Sequence, residues 1–151
     1  MKGGISNSDE IVDDVFRKVE HIGIAVRNLE EADAQYSALL GVGRYKVEEV
    51  ASEGVKTAFY RIGETKIELL EATHPESPIA RFIEKRGPGI HHIAFDVRDI
   101  RQSMARLIGA GFTLSSEKPV RGADNKLICF VHPRSTGGTL IELCQEIPGG
   151  Y

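Results

Sequence analysis

The sequence predicts an α+β fold, with two tandem βαβββ modules forming a curved mixed β-sheet cleft and helices on the outside. Three observations predict it. Residues 19–29 (VEHIGIAVRNL) recur as residues 90–100 (IHHIAFDVRDI), which aligns His21 with His92 at an offset of 71. Residues 66–71 (KIELLE) recur as 140–145 (LIELCQ), aligning Glu68 with Glu142, so that one longer loop absorbs three extra residues. Each repeat passes from a period of two to a helical pattern and back to a period of two, the mark of a duplicated supersecondary unit.

In the first module, residues 19–26 alternate as a strand. Asn28 is placed to cap a helix over Glu30 to Leu40, which stops at Gly41. Strands follow at about Arg44–Val50, Lys56–Ile62 and Lys66–Glu71, with Gly54 and Gly63 marking the turns. Residues 74–88 hold three prolines and read as a linker. Its middle, Ser77 to Lys85, reads as a short helix started by Ser77 or Pro78. The second module spans 89–146. It repeats the strand, then a helix over Ile100 to Ile108 capped by Asp99, then strands at about Thr113–Ser116, Leu127–Val131 and Leu140–Cys144. Residues 1–18 are expected to be a flexible extension, 19–73 the first module, and 147–151 a short tail.

Side chains alternate faces along a strand. Ile22, Ile24 and Val26 therefore form the face that packs on a helix, while His21, Gly23 and Ala25 face away. In the repeat, Ile93, Phe95 and Val97 oppose His92, Ala94 and Asp96. Ile67 and Leu69 oppose Glu68, and Ile141 and Leu143 oppose Glu142. Two imidazoles and two carboxylates thus share one kind of face. A lone inward His is more often a hydrogen-bonded core residue than a ligand, and a lone strand Glu is more often solvated. Recurrence of both at equivalent positions favours a common site.

Two neutral imidazoles and two carboxylates suit a divalent cation, whose charge the carboxylates balance. Without one, the two facing carboxylates repel and one pKa rises. The donor types fit Co, Ni, Mn, Fe or Zn better than Ca or Mg. His91 pairs with Glu20 in the repeat and falls on the other face, which makes it a structural neighbour of the ligands. His74 and His132 precede prolines and read as turn residues.

Net charge is −3, pI is about 6.0, and no Lys/Arg run exceeds two residues, which argues against nucleic acid or an acidic membrane surface as partner. No apolar run approaches the ~18 residues of a membrane span. The first 18 residues lack the apolar segment of a signal peptide, and Cys129 and Cys144 sit in apolar runs as buried, inert thiols. A cytoplasmic protein is the expectation.

These motifs resemble the vicinal oxygen chelate superfamily, to which glyoxalase I, extradiol dioxygenases and bleomycin-resistance proteins belong. Within it, Ser77 to Val97 (SPIARFIEKRGPGIHHIAFDV) and Gly122 to Leu143 (GADNKLICFVHPRSTGGTLIEL) are similar to methylmalonyl-CoA epimerases. The likeness runs from about Val19 to Glu146. It implies a metal held by His21, Glu68, His92 and Glu142, with Co2+ the first choice and Mn2+, Ni2+ or Zn2+ as alternatives. It implies epimerisation of (2R)- and (2S)-methylmalonyl-CoA through a metal-stabilised enolate, with Glu142 as first candidate base and Glu68 as its partner. It also implies a CoA thioester as substrate and a homodimer. Lys126, Arg121 and Arg134 are candidates for the CoA phosphates. The alternatives are a glyoxalase I-type lyase and a metal-free binding module of the same superfamily. The His-Pro-Arg turn at 132–134 speaks against the first. Retention of all four ligand positions speaks against the second.

Overall fold

A computed structural model describes residues 14–148. The first module comprises β1 (Lys18–Ala25), α1 (Leu29–Leu40), β2 (Lys46–Val50), β3 (Val55–Ile62) and β4 (Thr65–Ala72). The linker helix α2 (Pro78–Arg86) follows. The second module comprises β5 (Gly89–Asp96), α3 (Ile100–Gly109), β6 (Val120–Gly122), β7 (Lys126–Val131) and β8 (Ile141–Glu146).

The helix boundaries follow from local chemistry. The Glu31 N–H donates to Asn28 Oδ1 at 2.9 Å and the Gln102 N–H to Asp99 Oδ1 at 3.1 Å, so both expected caps are in place. Gly41 ends α1 in the left-handed conformation, at φ 75°. Ser77 caps α2 with Pro78 at its first position.

The strands form one eight-stranded sheet in the order β2-β3-β4-β1-β5-β8-β7-β6. The two modules therefore join edge to edge through the antiparallel β1–β5 pair, while β1–β4 and β5–β8 pair in parallel. Ile22 lies opposite Ile93, and these two residues are each other's equivalents in the repeat. The pseudo-two-fold axis therefore passes through this pair.

Each module buries its own apolar layer between helix and sheet. The first joins Val26, Leu29, Ala32, Ala58, Tyr60 and Leu69, and the second joins Val97, Ile100, Met104, Leu107, Cys129, Val131 and Leu143. Ile24, Val26, Ile67, Leu69, Val97, Ile141 and Leu143 pack on the faces assigned by alternation, whereas His91, expected on that side, lines the cavity beside His92. Both cysteines are buried and free.

Three further expectations change. Helix α2 does not lie on the outer side. Its Ile79 packs with Ala25, Val55 and Leu70, and Leu70 shares the inward face with Glu68, so α2 covers one end of the concave side. The strand expected at 113–116 is broken. Leu114 makes a single bridge to Val131, the chain turns where Ser116 Oγ donates to the Lys118 carbonyl, and pairing resumes at β6 beyond Pro119, which has no N–H to offer. Within the expected N-terminal extension, Asp14 and Phe16 pack on the second module, Lys18 already belongs to β1, and residues 1–13 lie outside the described residues. Asp14 is buried, accepting from Ser103 Oγ at 2.8 Å and pairing with Arg106, while the Phe16 ring lies 5.4 Å from that of Phe95. Asp14→Ala should lower unfolding free energy by about 1–3 kcal/mol, the cost of leaving the Ser103 and Arg106 donors without their acceptor. Chemical denaturation tests this, and unchanged stability would show the segment to be dispensable.

Candidate metal centre and active site

The site grows from the β1–β5 seam. At its centre His21 pairs with Ala94, Ile22 with Ile93 and Gly23 with His92, so each histidine faces a small residue of the other strand. A Cβ built on Gly23 would lie 2.3 Å from His92 Cε1, so the imidazole occupies space that only glycine leaves free. One step out, register shifts occur between Val19 and His21 and between Gly23 and Ile24, which leaves Glu20 and His91 unpaired. These two bulge residues are equivalents in the repeat. A bulge re-aims its side chain, and Glu20 accordingly becomes buried next to His21 on the inward side.

Both bulge residues hold the Nδ1 atom of the following histidine. His21 Nδ1–H donates to Glu20 Oε1 at 2.5 Å, and His92 Nδ1 lies 3.0 Å from His91 Nδ1. Burial, then the neighbouring His92, depresses His91 to about 4, so His91 is neutral and can accept. An acceptor at Nδ1 would hold each ring, once neutral, in the tautomer whose Nε2 lone pair can bind a metal. The two Nε2 atoms meet at 3.0 Å. Glu142 Oε1 lies 2.9 Å from His92 Nε2 and 3.3 Å from His21 Nε2. Glu142 stands beside Ala94 on β8, as Glu68 stands beside Gly23 on β4, so the parallel pairings carry the carboxylates to the histidines.

Of the four sequence-predicted ligands, His21, His92 and Glu142 form one group whose donor atoms all lie within 4.8 Å of one another. Glu68 is buried in the same cavity but approaches His21 from the other edge, with Oε2 at 3.2 Å from Nδ1. The donor set of two imidazoles and carboxylates fits a divalent transition metal. A second group, Glu20, His21 and Cys144, is also close. There Glu20 is already bound by Lys66 at 2.6 Å, and burial raises the Cys144 thiol so that it stays protonated.

The buried charges settle unevenly. Burial alone would lower His21, but four carboxylate interactions, Glu68 first, raise it to about 10. Burial pushes Glu142 up, yet hydrogen bonds from His21 and His92 bring it down to about 2. Glu68 goes the other way: burial, reinforced by Glu142 and Glu20, raises it to about 8 against the pull of His21. For Glu20, burial is outweighed by His21 and Lys66, and it falls to about 2.

These groups line a cavity of about 570 Å³ between the halves of the sheet, with Phe130, Ile128, Leu70 and Ile79 among its apolar walls. At its mouth lies Glu53, in the short turn before β3 and facing the cavity. Burial and then the charge of Glu142 raise its pKa. Glu53 and Glu20 escape sequence reasoning because one sits in a turn without period and the other on a bulge. Lys126 also lines the cavity, 3.8 Å from Glu20. His132 has a turn role, its Nδ1 accepting from the Arg134 N–H.

The chain belongs to the glyoxalase/bleomycin resistance protein/dioxygenase superfamily, whose model matches residues 20–130. It is 42% identical over 130 residues to the ethylmalonyl-CoA/methylmalonyl-CoA epimerase of Cereibacter sphaeroides, covering 85% of this chain and 97% of that one. Its fold matches a variant of the Streptomyces coelicolor methylmalonyl-CoA epimerase in complex with 2-nitronate-propionyl-CoA, with TM-score 0.85, 30% identity, and 89% and 97% of the two chains covered. A methylmalonyl-CoA epimerase in complex with methylmalonyl-CoA and NH4+ matches equally well, with TM-score 0.85, 30% identity and the same coverage. The resemblance carried by the sequence motifs is therefore real.

Gly23→Ala should displace the His92 ring and destabilise the protein by about 1–3 kcal/mol, with weakened metal binding by calorimetry; wild-type affinity in that variant would show that the ring has room to move. In the metal-free protein, His21 adds stability that is complete below its ordinary 6.5 and is lost as pH rises through about 10. Glu142 adds stability that is complete above 4.5 and is lost as pH falls through about 2. A divalent ion must displace the His21 proton, and the Glu68 proton as well where Glu68 is a donor, so binding should release about one to two protons per ion near neutral pH. Calorimetry in buffers of different ionisation enthalpy measures this, and zero release would mean that His21 is neutral before binding.

Proposed function

We propose that this protein is a metal-dependent epimerase that interconverts (2R)- and (2S)-methylmalonyl-CoA by removing and returning the proton at C2. The observation that supports this most directly is the convergence of His21, His92 and Glu142 in a cavity with further acids at its wall, in a fold whose relatives hold methylmalonyl-CoA. A nitronate is planar and anionic, as the deprotonated thioester is, and a relative of this fold binds one. A protein that binds the shape of the high-energy species lowers the barrier to it.

His21, His92 and Glu142 would hold the metal, with Glu68 as a fourth donor. A bound divalent ion supplies Lewis-acid stabilisation of the oxygen on which charge develops. Everything else falls to the chain's own groups. Glu142 is ionised, and of its two oxygens the one that does not hold the metal would take the C2 proton. Glu53 is raised by burial and by Glu142, so it keeps its proton more readily and can deliver it to the opposite face of the planar carbon. Environments that push two carboxyl groups apart in pKa assign the base and the acid. One turnover leaves Glu142 protonated and Glu53 ionised, the reverse reaction exchanges the roles, and both equilibrate with water at the mouth. Glu68 is the partner acid that the sequence suggests. Its place against His21 Nδ1, deep in the ligand cluster, suits a metal donor better, and Glu53 takes the second position. The apolar walls exclude water from the reacting carbon.

The test is deuterium incorporation after metal reconstitution. Wild type should epimerise methylmalonyl-CoA in heavy water with label at C2. Glu53→Gln should cut epimerisation by roughly 10²–10⁴-fold, the usual worth of a positioned acid or base, yet still wash label into one epimer through Glu142. Glu142→Gln should lose that exchange as well. Equal labelling of both epimers in Glu53→Gln would remove Glu53 from the chemistry, and no turnover of the reconstituted wild type would reject the function.

A further inference from the structure

A hydroxyl on the cavity wall is left without a bond. On β3, Ala58 and Tyr60 pack in the helix-side layer, so Val55, Thr57 and Phe59 face the concave side. Thr57 stands in register between Glu48 of β2 and Leu70 of β4, and Glu68 lies one inward step along β4, opposite Phe59. Thr57 lines the cavity, as do Glu53 at its mouth and the ligand cluster deeper in.

Thr57 is only 1% exposed. Its hydroxyl has no hydrogen-bond partner among the described residues. Every fully buried polar side-chain atom there does have one. The little of Thr57 that stays accessible is therefore its hydroxyl oxygen, and it opens into the cavity. Neither cross-strand neighbour takes its proton. Leu70 has no acceptor, and Glu48 is turned to the Asp124 N–H at 3.0 Å and to Lys46 at 3.5 Å. Thr65 and Thr136, by contrast, donate to main-chain carbonyls. Strand propensity explains a β-branched residue at this place, but not its oxygen. Val has nearly the same shape, and in a wall made by Val55, Leu70 and Ile79 it would leave nothing unpaired. An enclosed hydroxyl without a partner costs stability, so its partner is what enters the cavity.

That partner must bring an acceptor. The cavity is already acidic: Glu20, Glu53, Glu68 and Glu142 line it, and its one lysine, Lys126, lies 3.8 Å from Glu20. A further carboxylate can enter only where donors meet it. An ionised carboxylate accepts and never donates, so a hydroxyl facing it must give its proton to the bond. We infer that the Thr57 hydroxyl donates to the carboxylate of the substrate and thereby selects malonyl-type thioesters over simple acyl ones. This deepens the proposed function and rests on it. A site built around such a bond discriminates against an analogue without the bonding group, because its own polar group is then left unpaired.

The experiment measures binding by calorimetry to the Co2+-reconstituted protein, in wild type, Thr57→Val and Thr57→Ser. The probes are methylmalonyl-CoA and propionyl-CoA, which lacks the carboxylate. Thr57→Val should bind methylmalonyl-CoA roughly 10–100-fold more weakly, the worth of a hydrogen bond to a charged group. It should bind propionyl-CoA within about twofold of wild type, since that ester offers no such bond. Thr57→Ser keeps the hydroxyl and should hold methylmalonyl-CoA within about threefold of wild type. The thermal midpoint of Thr57→Val should equal or exceed that of wild type, because the hydroxyl has no partner in the protein to lose. A lower midpoint with both esters weakened alike would make Thr57 structural and overturn the inference. Unchanged binding of methylmalonyl-CoA in Thr57→Val would overturn it too. The reaction fails separately. A wild type that discriminates the two esters through Thr57 without epimerising upholds the hydroxyl and rejects the epimerase, whereas an active epimerase indifferent to Thr57→Val rejects the hydroxyl alone.

Discussion

The pairing of β1 with β5 is the constraint on which the site depends. Because Ile22 faces Ile93 across a local two-fold axis, whatever the sequence does around one histidine it does around the other. Each imidazole meets a residue too small to block it, Gly23 or Ala94, and each stands near the carboxylate that a parallel neighbour brings up. A one-residue slip of this seam would turn both histidines into the helix-facing layers. The buried Ile24 and Val26 layer on one side and the Val97 layer on the other make such a slip costly. Hydrophobic burial in the two modules therefore fixes the geometry of a polar site that burial alone would disfavour.

Burying this many charges requires that each be paired. Glu20 is bound by His21 and by Lys66, whose ammonium reaches Asp124 Oδ2 at 2.6 Å, and Asp124 in turn accepts from Lys46 at 2.6 Å. Lys46 belongs to β2 and Asp124 to the turn between β6 and β7, so the chain of charges joins the two outermost strands of the sheet. The Asp124 N–H also donates to Glu48 at 3.0 Å. Asp124 adopts φ 61°, a left-handed conformation that an aspartate tolerates better than most residues. One network thus orients the His21 imidazole and joins the two edges of the curved sheet.

The sequence made much of this visible. Alternation with repetition found His21, His92, Glu68 and Glu142, because strand faces and a duplicated offset are local properties of the chain. It missed what depends on departures from regularity. The bulges at Glu20 and His91 break the period on which face assignment rests, and a bulge is set by pairing with a distant strand. Glu53 lies in a one-turn helix with no period to read. The linker helix α2 carries its own start signal, Ser77-Pro78, but whether it lies inside or outside the cleft is decided by Ile79 finding Ala25, Val55 and Leu70. The strand expected at 113–116 shows the same limit, since its composition suits a strand and the Pro119 beyond it moves the main pairing on to Val120–Gly122.

The asymmetry superimposed on this symmetric frame is what gives it chemistry. A perfect duplicate would place two equal carboxylates around the axis, with equal affinity for a proton. Here Glu142 contacts both histidines through Nε2, whereas Glu68 meets only His21, at the Nδ1 edge that Glu20 already occupies. The first carboxylate is therefore held ionised and the second is driven to keep its proton, which separates two residues of identical type by their surroundings. The bulge residues diverge likewise: Glu20 is an anion tied to Lys66 and His91 a neutral ring beside Phe82, with centroids 5.0 Å apart. An imidazole in one half where the other has an acid lowers the negative charge around His92. The duplicated halves thus divide the work, one side surrounding its histidine with paired charge and the other with a neutral ring against an aromatic wall.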